Sequence, residues 1–155
     1  MTDAAPVVVR PVAEDDLGEW LPLWTAYNAF YGRSGATALP DAVTRTAWSR
    51  FLDPDEPMHA LVAEADGQLL GLAHHLFHRA TNRIEPSCYL QDLYVSDAAR
   101  GRGIGRRLIE QVAAHAREAG AGRLYWQTHE TNATAMALYD TLAQRSGFLV
   151  YVKPL

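Results

Sequence analysis

The stretch Leu93-Tyr94-Val95-Ser96-Asp97-Ala98-Ala99-Arg100-Gly101-Arg102-Gly103-Ile104-Gly105-Arg106-Arg107-Leu108 constrains the fold more than any other part of this chain. An apolar run turns through a basic, glycine-rich loop directly into a helix pattern. Glycines lack the Cβ atoms that would hold an anion away from the backbone. Successive N–H groups and the positive end of the helix dipole can therefore converge on one phosphate group. Arg100, Arg102, Arg106 and Arg107 surround that position with positive charge.

Spacing decides which kind of phosphate loop this is. A dinucleotide fingerprint needs G-x-G-x-x-G, but counting from Gly101 puts Arg106 in the last place and counting from Gly103 puts Leu108 there. A Walker loop needs Lys and Ser or Thr after its final glycine, whereas Gly105 is followed by Arg106 and Arg107. The pattern that fits is Arg-x-x-Gly-x-Gly, from Arg100 through Gly103 to Gly105. A second motif follows a predicted strand, Arg123 to Thr128: Asn132-Ala133-Thr134-Ala135-Met136-Ala137-Leu138-Tyr139 reads Asn-x-x-Ala-x-x-x-Tyr. Together, in this order, the two motifs resemble the GNAT superfamily of N-acetyltransferases. Tyr89 to Val95 and Trp126-Gln127-Thr128 look most like its polyamine and histone acetyltransferase branches.

Composition agrees with one enzyme domain. The 155 residues, 48% hydrophobic, suffice for one well-buried core and are short for two, so a single domain over 1–155 is expected. The one cysteine, Cys88, excludes an internal disulfide framework and favours a reducing, cytoplasmic setting. Residues Met1 to Pro6 do not read as a secretory signal, and no apolar run approaches the roughly 18 residues of a membrane span. A formal charge of −4 argues against a general nucleic-acid binder.

Periodicity orders the elements. Val7 to Arg10 reads as a first strand limited by Pro11. From Ala13 to about Tyr31, Leu17, Trp20, Leu21, Trp24, Tyr27 and Phe30 recur at helical spacing, with Pro22 inside the pattern. Pro40 to Leu52 gives a second helix. His59 to Ala65 and Leu69 to Phe77 flank Asp66-Gly67, a hairpin signal. Ser87 to Val95 is a further strand, and Arg102 to Ala119 a helix with Ile104, Leu108, Ile109, Val112 and Ala116 on one face. Leu124 to Thr128, the Asn132 helix and a last strand, Phe148 to Val152, complete a β-α-α-β-β-β-α-β-α-β order. This is a mixed α/β fold with helices on both faces of the sheet.

The resemblance implies a mostly antiparallel sheet with one splayed parallel pair, Ser87 to Val95 and Leu124 to Thr128. It implies acetyl-CoA as cofactor, its pyrophosphate held by Arg100, Gly101, Arg102, Gly103, Ile104, Gly105 and Arg106. The backbone of Leu93, Tyr94 and Val95 would grip the pantetheine arm, with Asn132 bonding to the same arm. Tyr139 would lie near the cofactor sulfur and serve as the acid. Homodimers are common in the family, and the apolar Phe148–Val152 run is either an internal strand or a pairing edge for a second subunit.

Acyl transfer to a primary amine requires the neutral amine, yet a lysine-like amine has a pKa of about 10.4, so a group must take or relay a proton. The polyamine branch ends this strand with Glu-Asp; here the pair is Gln91-Asp92, and an amide cannot accept that proton. Asp92 is therefore the base candidate, with His129, Glu130 or water behind it. Tyr27, Tyr31, Gln91 and Asp92 are the expected acceptor-binding residues, and Phe30 is assigned to the core. His74 and His75 alternate to opposite faces and, with His78, lack an acidic partner at ligand-like spacing, so they read as ordinary core or surface histidines and no metal is expected. The acceptor is a small polyamine or diamine by resemblance. A protein lysine side chain and a noncatalytic CoA-sensing module remain as alternatives.

Overall fold

The structure of the protein, a computed structural model, describes residues 4–155. Five strands form one sheet in the order β1 (Val8–Pro11), β2 (Met58–Ala65), β3 (Gln68–His78), β4 (Ser87–Val95), β5 (Arg123–Trp126). The first four run antiparallel, and β4–β5 is the one parallel pair. The β2–β3 hairpin closes at Asp66 and Gly67, both with positive φ (52° and 72°), the conformation that makes this dipeptide a tight hairpin turn.

Helices α1 (Leu17–Phe30) and α2 (Asp41–Leu52) cover one face of the sheet, and α3 (Ile104–Glu118) the other. The helix α4 (Ala133–Leu142) joins the α3 side through Leu138, Tyr139 and Leu142. Pro22 lies within α1 without ending it. On the α1–α2 face Trp20, Trp24, Tyr27 and Trp48 pack with Leu72 and Val62. On the α3 face Ile104, Leu108, Ile109, Val112 and Ala116 meet Leu61, Ala73, Cys88 and Leu90, the stripe expected from the helical period. Each such fully buried large side chain contributes roughly 2 kcal/mol.

Two expectations fail here. The run Phe148–Val152 is not an internal strand: residues 143–155 have no regular secondary structure, and Phe148 and Tyr151 are 90% and 92% exposed. A strand needs backbone partners for its N–H and C=O groups, and among the described residues the segment has none, the Phe148 N–H bonding only the Ser146 hydroxyl. Phe30 is also not a core residue; it ends α1 facing solvent at 62% exposure.

Candidate active site

The parallel pair opens where the sequence motifs meet. Pairing of β4 with β5 runs from Ser87 opposite Arg123 to Leu90 opposite Trp126 and stops there. Residues 91–95 of β4 continue without a β5 neighbour, which leaves the backbone of Leu93, Tyr94 and Val95 beside the gap. Directly after it, Gly101 and Gly103 adopt positive φ (79° and 72°), and a Cβ at either would meet nothing within 4 Å. The first helical bond of α3 runs from the Arg107 N–H to the Gly103 carbonyl, so the N–H groups of Ile104, Gly105 and Arg106 lack partners inside the helix. Unpaired donors, open space and the positive helix end together fit a pyrophosphate group.

The arginine side chains frame this cradle through contacts of their own. Arg100 pairs with Asp97 and donates to the Val95 carbonyl; Arg102 donates to the Ala5 carbonyl and Arg106 to Thr141. Asn132 caps α4, its Oδ1 accepting from the Ala135 N–H while its amide donates to Thr128 at 3.4 Å. Tyr139 packs edge-on against Trp126 at the mouth of the gap. Its phenol is pushed up to about 12, chiefly by burial and then by nearby Tyr31, so it holds its proton at neutral pH.

A register shift shapes the cleft on the α1–α2 face. His74 stands opposite Asp92 and His75 opposite Leu90, which leaves Gln91 as an extra residue, a β-bulge. Strict alternation would turn Gln91 and Asp92 to opposite faces; with the bulge both line a cleft of about 600 Å³ between β3–β4, α1 and α2. Asp92 is the only carboxylate among the described residues lining that cleft, whereas Arg33 and Arg50 contribute two guanidinium groups. The Arg33 Nε donates to the Oδ1 of buried Asn28 at 2.6 Å, and Asn28 in turn donates to the Trp24 carbonyl. Arg33 also lies 5.9 Å and 5.5 Å from the Tyr27 and Tyr31 ring centres.

Of the four acceptor residues read from the sequence, Gln91 and Asp92 line the cleft directly. Buried Tyr27 borders Asp92: burial first, then the Asp92 charge and hydrogen bond, raise its phenol above the ordinary range. Tyr31 touches Tyr27 edge-on at 5.1 Å and stands toward Tyr139 instead. His129 and Glu130 are exposed, with His129 tied to Thr131. Cys88 is buried, its thiol pushed up to about 11 by burial. The histidine reading needs one correction: His74 does have an acidic partner, the Asp92 carboxylate at 2.9 Å. Arg33, Asn28 and Arg50 were not singled out in the sequence, since no spacing links the end of α1 to the β4 bulge.

A glycine loop with free N–H donors beside a parallel strand pair that parts, next to a cleft with one carboxylate, is the arrangement that an acyl-CoA-dependent transferase requires. The sequence model of the acetyltransferase (GNAT) family matches residues 20–143, and the chain belongs to that family. A D-amino-acid N-acetyltransferase of Saccharomyces cerevisiae is 34% identical, the match covering 94% of this chain and 89% of the yeast protein. The thialysine N-epsilon-acetyltransferase of Sus scrofa is 28% identical over 91% of this chain and 85% of the relative. Among solved structures, the aminoglycoside N-acetyltransferase AAC(6')-Iy in complex with CoA superposes with a TM-score of 0.83 at 19% identity, covering 99% and 98% of the two chains. The protein is an N-acetyltransferase that uses acetyl-CoA. No helix of the described residues is long and apolar enough to cross a membrane.

Proposed function

We propose that the protein acetylates a small primary amine that also bears a carboxylate. The carrying observation is the charge pattern of the cleft, one carboxylate, Asp92, set against Arg33 and Arg50. An ammonium group is drawn to Asp92, and a carboxylate on the same molecule is drawn to the guanidinium side. A diamine or polyamine, the acceptor suggested by the sequence motif, would bring its second cation toward those arginines. The yeast relative is named for D-amino acids, which have both groups.

Bound acetyl-CoA supplies an acetyl thioester beside the β4–β5 gap. Asp92 takes or relays the proton that an ammonium acceptor must lose. The backbone N–H groups of Leu93 and Val95, which face away from β3, are the fixed donors for the carbonyl oxygen as negative charge grows on it. Tyr139, kept protonated by burial beside Trp126 where the strand pair parts, would donate to the departing sulfur. A second copy of the chain is the partner we assign to the exposed Phe148–Val152 run, and a reducing cytoplasmic setting agrees with the single free cysteine.

The test is acetyl-CoA-dependent thiol release across α-amino acids, diamines, aminoglycosides and lysine peptides, with Arg33→Met and Asp92→Asn as variants. Amino acids should be the best acceptors, and Arg33→Met should raise their KM about 10–100-fold, the loss of one charge-assisted hydrogen bond. Diamines as best acceptors, indifferent to Arg33→Met, would restore the polyamine reading. Release with peptides alone would make the protein a lysine acetyltransferase, and acetyl-CoA binding without release would leave the sensing module. Sedimentation of the native chain and of one truncated after Gly147 decides the dimer, which should be lost on truncation.

A further inference from the structure

The side chain behind Asp92 is His74, which a tryptophan reaches at its other ring nitrogen. His74 lies on the α1–α2 face of β3, 3% exposed, and Trp20 of α1 is fully buried beside it. The Trp20 indole N–H is 3.0 Å from His74 Nε2, and His74 Nδ1 is 2.9 Å from Asp92 Oδ2. An indole nitrogen only donates. His74 Nε2 must therefore offer its lone pair, the ring proton must sit on Nδ1, and that Nδ1–H donates to the carboxylate.

We infer that His74 is a positioning residue for acetyl transfer: Trp20 holds it as the neutral Nδ1–H tautomer, which fixes the Asp92 carboxylate and leaves its negative charge uncompensated. The inference rests on the reading of Asp92 given above. A second proton on His74 would enter at Nε2 and confront the indole N–H, donor against donor, inside a box closed by Trp24 at 5.1 Å and Phe51 at 4.5 Å between ring centres. An imidazolium there would neutralise Asp92 and weaken its pull on an ammonium acceptor.

The charged and titratable surroundings are few. β4 presents Asp92, and α1 and its C-terminal end present Tyr27 and Arg33. Arg50 comes from α2, and β2 sets Ala60 opposite His74. The next residue, His75, turns to the far face and pairs with His115 at 2.8 Å. The Gln91 bulge is what makes the arrangement possible, because it brings Asp92 into register with His74.

The test combines imidazole nitrogen NMR with pH–rate profiles. In the native protein the His74 resonances should report a protonated Nδ1 and a bare Nε2 from pH 8 to pH 6. Trp20→Phe keeps an aromatic ring and removes the N–H donor; the His74 resonances should then lose the single Nδ1–H signature. The acid limb of kcat/KM should rise by about one pH unit, a relative loss approaching tenfold between pH 8 and pH 6. Adding His74→Gln to Trp20→Phe, an amide that can still donate to Asp92 but cannot titrate, should return the limb to its native position. A charged His74 or the opposite tautomer in the native protein overturns the proposal, as does an unmoved acid limb in a folded Trp20→Phe. If Asp92→Asn turns over normally, the Asp92 reading fails by itself, and the NMR result still decides the tautomer.

Discussion

An alanine at position 71 would put its Cβ 2.8 Å from the carbonyl oxygen of Tyr94 and 3.2 Å from a Leu108 methyl. Gly71 of β3 lies where the sheet, the free end of β4 and α3 come closest together. The close approach holds the ungripped part of β4 against the helix that starts the pyrophosphate cradle. Gly71→Ala should cost about 1–3 kcal/mol by overpacking against backbone that cannot rotate away. Urea unfolding of the variant gives the value, and a change under 0.5 kcal/mol would mean that the strands yield more easily than the geometry implies.

Gly103 poses a different demand. A Cβ there meets open space, so Gly103→Ala is opposed only by its φ of 72°, at a cost of about 1 kcal/mol. The added methyl stands at the mouth of the cradle, and KM for acetyl-CoA should rise several-fold with kcat nearly kept. Steady-state kinetics at saturating amine separate the two parameters; a fall in kcat alone would contradict the assignment of this loop to cofactor binding.

Tyr139→Phe should lower kcat at least about tenfold while leaving acceptor KM close to native. Burial lifts the phenol to about 12, so it stays protonated throughout an ordinary assay range. Any basic limb between pH 8 and pH 10 should therefore occur at the same place in native and variant enzyme. A limb that vanishes in Tyr139→Phe would show that the phenol titrates far lower than its burial requires.

Acid stability tests the ion pair at the other end of the sheet. Arg10 bonds Asp16 at 2.7 Å and Glu64 at 2.6 Å, and the Arg10 hydrogen bond is the main reason that the Asp16 carboxyl lies below its usual range. A carboxyl lowered in the folded state stabilises the protein above its unfolded pKa of about 3.9. That contribution disappears as pH falls through the lower folded value. Asp16→Asn should cost about 1–2 kcal/mol at pH 7, with the difference from native closing as pH falls through the lowered folded-state value. Urea titrations from pH 7 to pH 2.5 measure the gap, and a constant difference would exclude Asp16 ionisation as its source.

Most elements were readable because their signals are local. The stripe Ile104, Leu108, Ile109, Val112, Ala116 buries α3 as its period requires, and Asp66-Gly67 makes the only tight turn that joins β2 to β3. The last strand was misread because alternation and apolarity describe what a segment can pair with, and Phe148–Val152 finds no strand to pair with among the described residues. Strand alternation correctly divides His74 from His75 and makes them core histidines, but the Asp92 partner of His74 lies 18 residues away across a bulge, beyond any local spacing.

By itself the sequence determined the family and the cofactor, since helix period and motif spacing are properties of contiguous residues. Only the tertiary structure decided the acceptor side. The one-residue bulge at Gln91 turns two neighbouring side chains into the same cleft, Asn28 holds Arg33 in the cleft that Asp92 lines, and Trp20 reaches His74 from another element. Register and packing create those juxtapositions, and a strand pattern of period two contains no record of where its bulge will fall.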